Sequence, residues 1–208
     1  MKGQSKSTQV IEPKAREIIF GHGRGWVFTP RDLTQLGDPR SVGMALTRLS
    51  RKGVIRQLAR GLYDYPIDHP ALGRVAASAD AVAKALVSRD SVRLQPAGAY
   101  AANVLGLSDQ VPMKIVFLTD GTSRRVKLGQ REIILKHTTP RNVATAGRKS
   151  GTVIQALRYL GQRHVDDTVL AILRRQLDDT DKAQLLKDRK HAPAWVANIL
   201  QRLAARIP

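Results

Sequence analysis

The sequence predicts an α+β protein: an N-terminal winged helix-turn-helix over residues 1–66, then a mainly helical domain over residues 67–208 with a small three-stranded antiparallel meander. Three observations carry this expectation. Val42, Ala45, Leu46 and Leu49 recur three or four residues apart, the stripe of a helix with one buried face. Gly53 stops that helix, and two short β-prone runs follow, residues 54–58 and 62–65, turning at Ala59-Arg60-Gly61. Further on, three more β-type runs lie between stretches of helical periodicity.

Residues 1–9 are polar and read as a mobile tail. Residues 10–20 show a helical stripe in Val10, Ala15, Ile18 and Ile19, ended by Gly21-His22-Gly23. Trp26-Val27-Phe28 is a short β-like piece. Thr29 caps a second, short helix that Pro30 opens, and Gly37 ends it; Leu33 and Leu36 are expected to pack against the helix that follows. That third helix starts at Asp38, whose carboxylate accepts hydrogen bonds from free N–H groups of a first turn, with Pro39 where a missing donor costs nothing. Helix, short strand, short helix, turn, helix and hairpin is the order of a winged domain.

Pro66-Ile67-Asp68-His69-Pro70 reads as a linker. Residues 72–87, rich in Ala and Val, predict a strongly buried helix. Residues 88–93 read as a turn into an extended piece, and Pro96 opens another Ala-rich helix ending near Leu105-Gly106. Runs 114–119, 125–128 and 132–136, with turns at Asp120-Gly121 and Gly129-Gln130, make the meander, which Pro140 ends. Helical patterns resume at 153–160, 168–177, 180–187 and 195–205. Asp166 or Asp167, and Asp178 or Asp179, stand where caps are needed.

Charge is the strongest bulk signal. The 208 residues hold 35 Lys and Arg against 17 Asp and Glu, a formal net charge of +18. Such an excess calls for a polyanion, and nucleic acid is the first partner to consider. Its excess is +7 over residues 1–66, +4 over 67–140 and +7 over 141–208, so the C-terminal third offers a second anionic contact. The chain has no cysteine, which excludes disulfides and thiolate metal sites and makes a reducing cytoplasm the expected location. No apolar run reaches the length of a membrane span, and the N-terminus lacks a signal segment, so no membrane partner is expected.

The exposed face of the third helix carries Arg40, Ser41, Met44, Thr47 and Arg48, the expected base-edge contacts in a major groove of double-stranded DNA. Arg51, Lys52, Arg56 and Arg60 are expected to meet phosphates, which give affinity and salt dependence without sequence information. The alternatives are a winged module that docks proteins and a basic RNA-binding factor; Arg124 and Arg125 beside the Asp120-Gly121 turn could grip an acidic partner or RNA. His22, His69, His137, His164 and His191 form no helical zinc pair, and the Asp166-Asp167 and Asp178-Asp179-Asp181 groups are better explained as caps than as magnesium ligands. No cofactor and no enzymatic activity are expected, because no nucleophile, base and orienter can be assembled from the spacing.

The segment around the hairpin, with Leu49, Lys52, Gly53, Arg60, Gly61 and Tyr63, resembles the AbiEi family of antitoxins. The Ala-rich helix of residues 97–103, the strands after it and the helical end are similar to that family as well. The resemblance implies a winged-domain repressor that binds its own promoter, with Arg40, Ser41, Thr47, Arg48 and Arg60 as DNA contacts. It also implies a C-terminal domain that opposes a cognate nucleotidyltransferase toxin.

Overall fold

The computed structural model describes residues 4–87 and 92–205, with side chains from residue 10 onward. The chain is of mixed α+β type and divides into two compact units, residues 1–88 and 89–208. The first unit thus reaches beyond the 1–66 segment. Among the described residues no helix is long and apolar enough to cross a membrane.

In the first unit, α1 (Gln4–His22) begins earlier than the periodicity suggested, so residues 4–9, expected as a tail, continue the helix. Strand β1 (Val27–Phe28) follows. The second helix is a stretch of 3-10 geometry, Pro30–Leu36, kinked at Leu33, whose backbone departs from helical geometry (φ −122°, ψ 18°). Asp32 secures its start by accepting from the Thr29 backbone N–H at 2.7 Å and the Thr29 hydroxyl at 2.9 Å.

Helix α2 (Pro39–Arg51) is capped as its sequence demands, the Asp38 Oδ1 accepting from the N–H groups of Arg40 and Ser41, both at 3.0 Å. Val42, Ala45, Leu46 and Leu49 are each at most 1% exposed and pack with Ile11, Ala15, Ile19 and Leu33 into one core. Gly53 takes a left-handed φ of +70°, which lets the chain leave the helix and start the hairpin of β2 (Arg56–Ala59) and β3 (Leu62–Asp64). The sheet order is β1-β3-β2, antiparallel throughout, with a bulge between Gln57 and Ala59.

The expected linker and long helix after residue 66 are corrected. Strands β4 (Asp68–His69) and β5 (Gly73–Arg74) pair as a small hairpin, and His69 Nδ1 accepts from the N–H groups of Ala71 and Leu72 in the turn. Leu72 is 76% exposed, and the helix is only α3 (Ala79–Leu86), capped by Ser78. The positive φ of Gly73, +68°, breaks the helical path that composition alone suggested.

The turn expected at residues 88–93 falls mostly on residues 88–91, outside the described residues. In the second unit Pro96 lies in an edge strand, β6 (Leu94–Ala97), rather than opening a helix; α4 (Gly98–Val104) starts just after it. Strands β7 (Lys114–Thr119), β8 (Arg124–Leu128) and β9 (Arg131–His137) do not form a meander. The order is β6-β7-β9-β8, and β9 lies parallel to β7, with Ile115 beside Ile133 and Phe117 beside Leu135. The connection from β7 therefore steps across the end of β9. His137 pins that crossing: its N–H donates to Ser123 Oγ at 2.9 Å, and its ring Nδ1 lies 2.8 Å from the Gly121 carbonyl.

After a 3-10 turn at Pro140–Val143, four helices close this unit: α5 (Lys149–Leu160), α6 (Asp167–Gln176), α7 (Asp179–Asp188) and α8 (Ala194–Ala204). Asp166 and Asp178 are the caps. Val153, Leu157, Leu170, Leu173, Leu185, Val196 and Leu200 form the core between these helices and α4.

Candidate nucleic-acid interface

An α-helix advances about 100° per residue. Arg40, Met44, Thr47 and Arg51, spaced four, three and four apart, therefore fall opposite the buried stripe of α2, and all four are exposed. Met44 is 39% exposed. The Thr47 hydroxyl donates to the Gly43 carbonyl at 2.9 Å, so its methyl and its oxygen lone pairs are what it offers to an outside partner.

Ser41 and Arg48 lie at one margin of that face and are half-buried. Ser41 belongs to the cap. Its hydroxyl and its N–H both bond the Asp38 carboxylate, and these bonds, the hydroxyl's first, hold the Asp38 carboxyl below its ordinary 3.8.

The residues expected at phosphates separate into two groups. Arg51 is exposed on α2, and Arg60 is exposed at the tip of the β2–β3 hairpin, where Gly61 supplies a φ of +71°. Lys52 instead forms an ion pair with Glu12 of α1. Arg56 is turned inward: it binds the buried Asp64 and the Val75 carbonyl, and the Asp64 hydrogen bond raises its pKa. Arg56 is thus a structural clamp in this unit, which corrects its expected place among the phosphate contacts.

Several supports were not visible in the sequence. His22, Trp26, Phe28 and Tyr63 stack in succession, with ring centroids 3.8, 4.4 and 6.0 Å apart, and tie the end of α1 to the root of the hairpin. Arg24 lies over the Tyr65 ring at 4.9 Å and binds Asp68 and the Pro66 carbonyl. Arg74 donates to the Gly53 carbonyl at 2.9 Å, just where α2 gives way to the hairpin. These residues recur at no helical or strand period; only the cross-strand alternation of Phe28 and Tyr63, which are direct partners, carries a signal.

The acidic groups of the second unit serve as helix caps and as ion-pair or hydrogen-bond partners within that unit. Asp166 accepts from Val169 N–H and Asp178 from Asp181 N–H, while Asp181 pairs with Lys149. Asp188, 2% exposed, accepts from Arg148 and Ser150, both at 2.6 Å, and from Gln184 at 2.9 Å. Among the described residues no group of three or more His, Asp or Glu is placed to hold a metal ion.

A family model described as a family of unknown function, DUF6088, matches residues 14–185. The chain is similar to a solved structure described as the RV2827C protein from Mycobacterium tuberculosis, with 18% identity and a TM-score of 0.45, over 97% of this chain and 78% of that one. No curated protein matches.

Proposed function

The chain belongs to the DUF6088 family, and we propose that it is a winged helix-turn-helix protein that binds DNA and represses transcription from its own promoter. The observation that carries this reading is the outer face of α2. Arg40, Met44, Thr47 and Arg51 stand exposed along one side of a short capped helix, and a hairpin with Arg60 at its tip follows directly. In a major groove, Arg40 in the first turn reaches a guanine edge, while Met44 and the Thr47 methyl meet apolar base surface. Arg51 and Arg60 meet phosphates on either side. Arg48 takes a flanking contact from the margin of the face. Ser41, Lys52 and Arg56 hold the scaffold that presents these groups.

The test separates base reading from phosphate binding. Arg40→Ala should weaken binding to the promoter by about 1–3 kcal/mol and relax preference at one base pair. Arg60→Ala should weaken binding on all sequences alike and reduce the salt slope by about 1. Arg40→Ala binding as tightly and as selectively as the wild type would remove α2 as the reading element. The AbiEi resemblance extends the proposal to an antitoxin role against a nucleotidyltransferase toxin. Co-expression with the nucleotidyltransferase of a neighbouring gene should restore growth, and growth arrest despite co-expression counts against that part.

A further inference from the structure

Strand β8 is an edge of the second unit's sheet; among the described residues its strand neighbour is β9 alone. The turn between them has two residues, Gly129 and Gln130, so the closing pair Leu128 and Arg131 is a hydrogen-bonded pair. Antiparallel alternation then makes Val126–Ile133 and Arg124–Leu135 the other bonded pairs. The backbone N–H and C=O groups of Arg125 and Lys127 point away from β9, and among the described residues neither makes a backbone hydrogen bond outside the sheet.

By register, the side chains of Arg125 and Lys127 share a face with Lys114, Val116, Glu132, Ile134 and Lys136. That face holds four cations and one carboxylate, and Glu132 is already paired with Arg125 at 3.4 Å. A shallow concavity of about 620 Å³ lies over it, lined by Arg125, Ile134, Val116 and Lys136 among others.

Cations on an edge strand ordinarily repel a further strand, and they exclude the same edge of a second copy of this chain. They favour a strand that carries carboxylates. Nucleic acid fits less well, because the face has no aromatic ring for a base to stack on and its centre is aliphatic. We propose that the open edge of β8 takes an extended acidic segment of a partner protein as an added strand. The segment's carboxylates lie beside Arg125 and Lys127, and its main chain pairs with theirs.

The probe is a fluorescein-labelled peptide, Glu-Val-Glu-Ile-Glu-Val-Glu, titrated with the full chain and read by anisotropy. Two versions N-methylated on alternate sets of backbone amides accompany it. The expected result is a loss of at least tenfold in affinity for one methylated frame and little change for the other, since an added strand uses every second amide. Lys127→Glu, at an exposed position, should also weaken the parent peptide at least tenfold. Equal binding of both methylated frames overturns strand addition. A Lys127→Glu variant that keeps the peptide but loses a 20-base-pair duplex assigns the face to nucleic acid and overturns the acidic-segment proposal.

Discussion

The Arg56 guanidinium grips the buried Asp64 carboxylate twice, Nε to Oδ1 at 3.1 Å and Nη2 to Oδ2 at 2.5 Å. The two residues are direct cross-strand partners of the hairpin, and the same Nη2 reaches the Val75 carbonyl at 2.9 Å. One side chain thus closes the root of the β2–β3 hairpin and ties the segment after it to the same unit.

Removing Arg56 leaves Asp64, 1% exposed, without its paired charge. Arg56→Ala should destabilise the first unit by about 3 kcal/mol, the low end for a broken buried pair because the Arg56 side chain is 28% exposed. Urea denaturation measures this. DNA binding by the folded fraction should keep its salt slope, in contrast to Arg60→Ala.

Asp38 makes the start of α2 pH-dependent. Its folded pKa lies below 3.8, so the cap's contribution is fully present above that value and is lost as pH falls through the lower, folded value. Asp38→Asn keeps a capping oxygen and removes the titration. The gap between the thermal midpoints of the wild type and Asp38→Asn should be largest at about pH 5 and should narrow as pH falls below 3.8 through the folded pKa. A difference that stays constant across this range would contradict the cap's role.

Gly151 in α5 has no room for a side chain. A Cβ there would lie 2.2 Å from Gln95 Oε1 and 2.5 Å from the Thr145 carbonyl oxygen, and the latter is backbone. Gly151→Ala should cost about 2 kcal/mol or more through forced displacement of that loop, although alanine is the better helix former. The control is Gly43→Ala in α2, where a Cβ meets nothing within 4 Å; it should leave stability equal or higher.

What could be read from the sequence was local. Asp38, Pro39 and the 42-45-46-49 stripe define α2 without help from elsewhere, and Asp166 and Asp178 cap their helices for the same reason. Pairings between distant segments were hidden. Strand β9 inserts between β7 and β8 because Ile133 and Leu135 find Ile115 and Phe117 across a parallel register, and no hairpin turn announces a parallel pair. Alanine composition favoured a helix from residue 72 onward, but the β4–β5 turn and Gly73 took its first residues into a hairpin. In the candidate interface, Arg51, Lys52 and Arg60 are all exposed, Lys52 with Glu12 as an ion-pair partner, while Arg56 is held by the buried Asp64. Basic residues alike in the sequence are told apart by the carboxylate that the fold brings to them. For Arg56 the turn alone misleads, since a two-residue Arg60-Gly61 turn places Gln57 across from residue 64; the bulge between Gln57 and Ala59 shifts the register and brings Arg56 there instead.

In the proposed function, α2 is the element that reads DNA sequence. The most direct measurement is the affinity of the wild-type chain for a duplex from its own upstream region against a shuffled duplex of equal length, at one physiological salt concentration. Base reading by α2 should give a preference of about 10³-fold or more for the upstream duplex. Equal affinity for the two duplexes would contradict it.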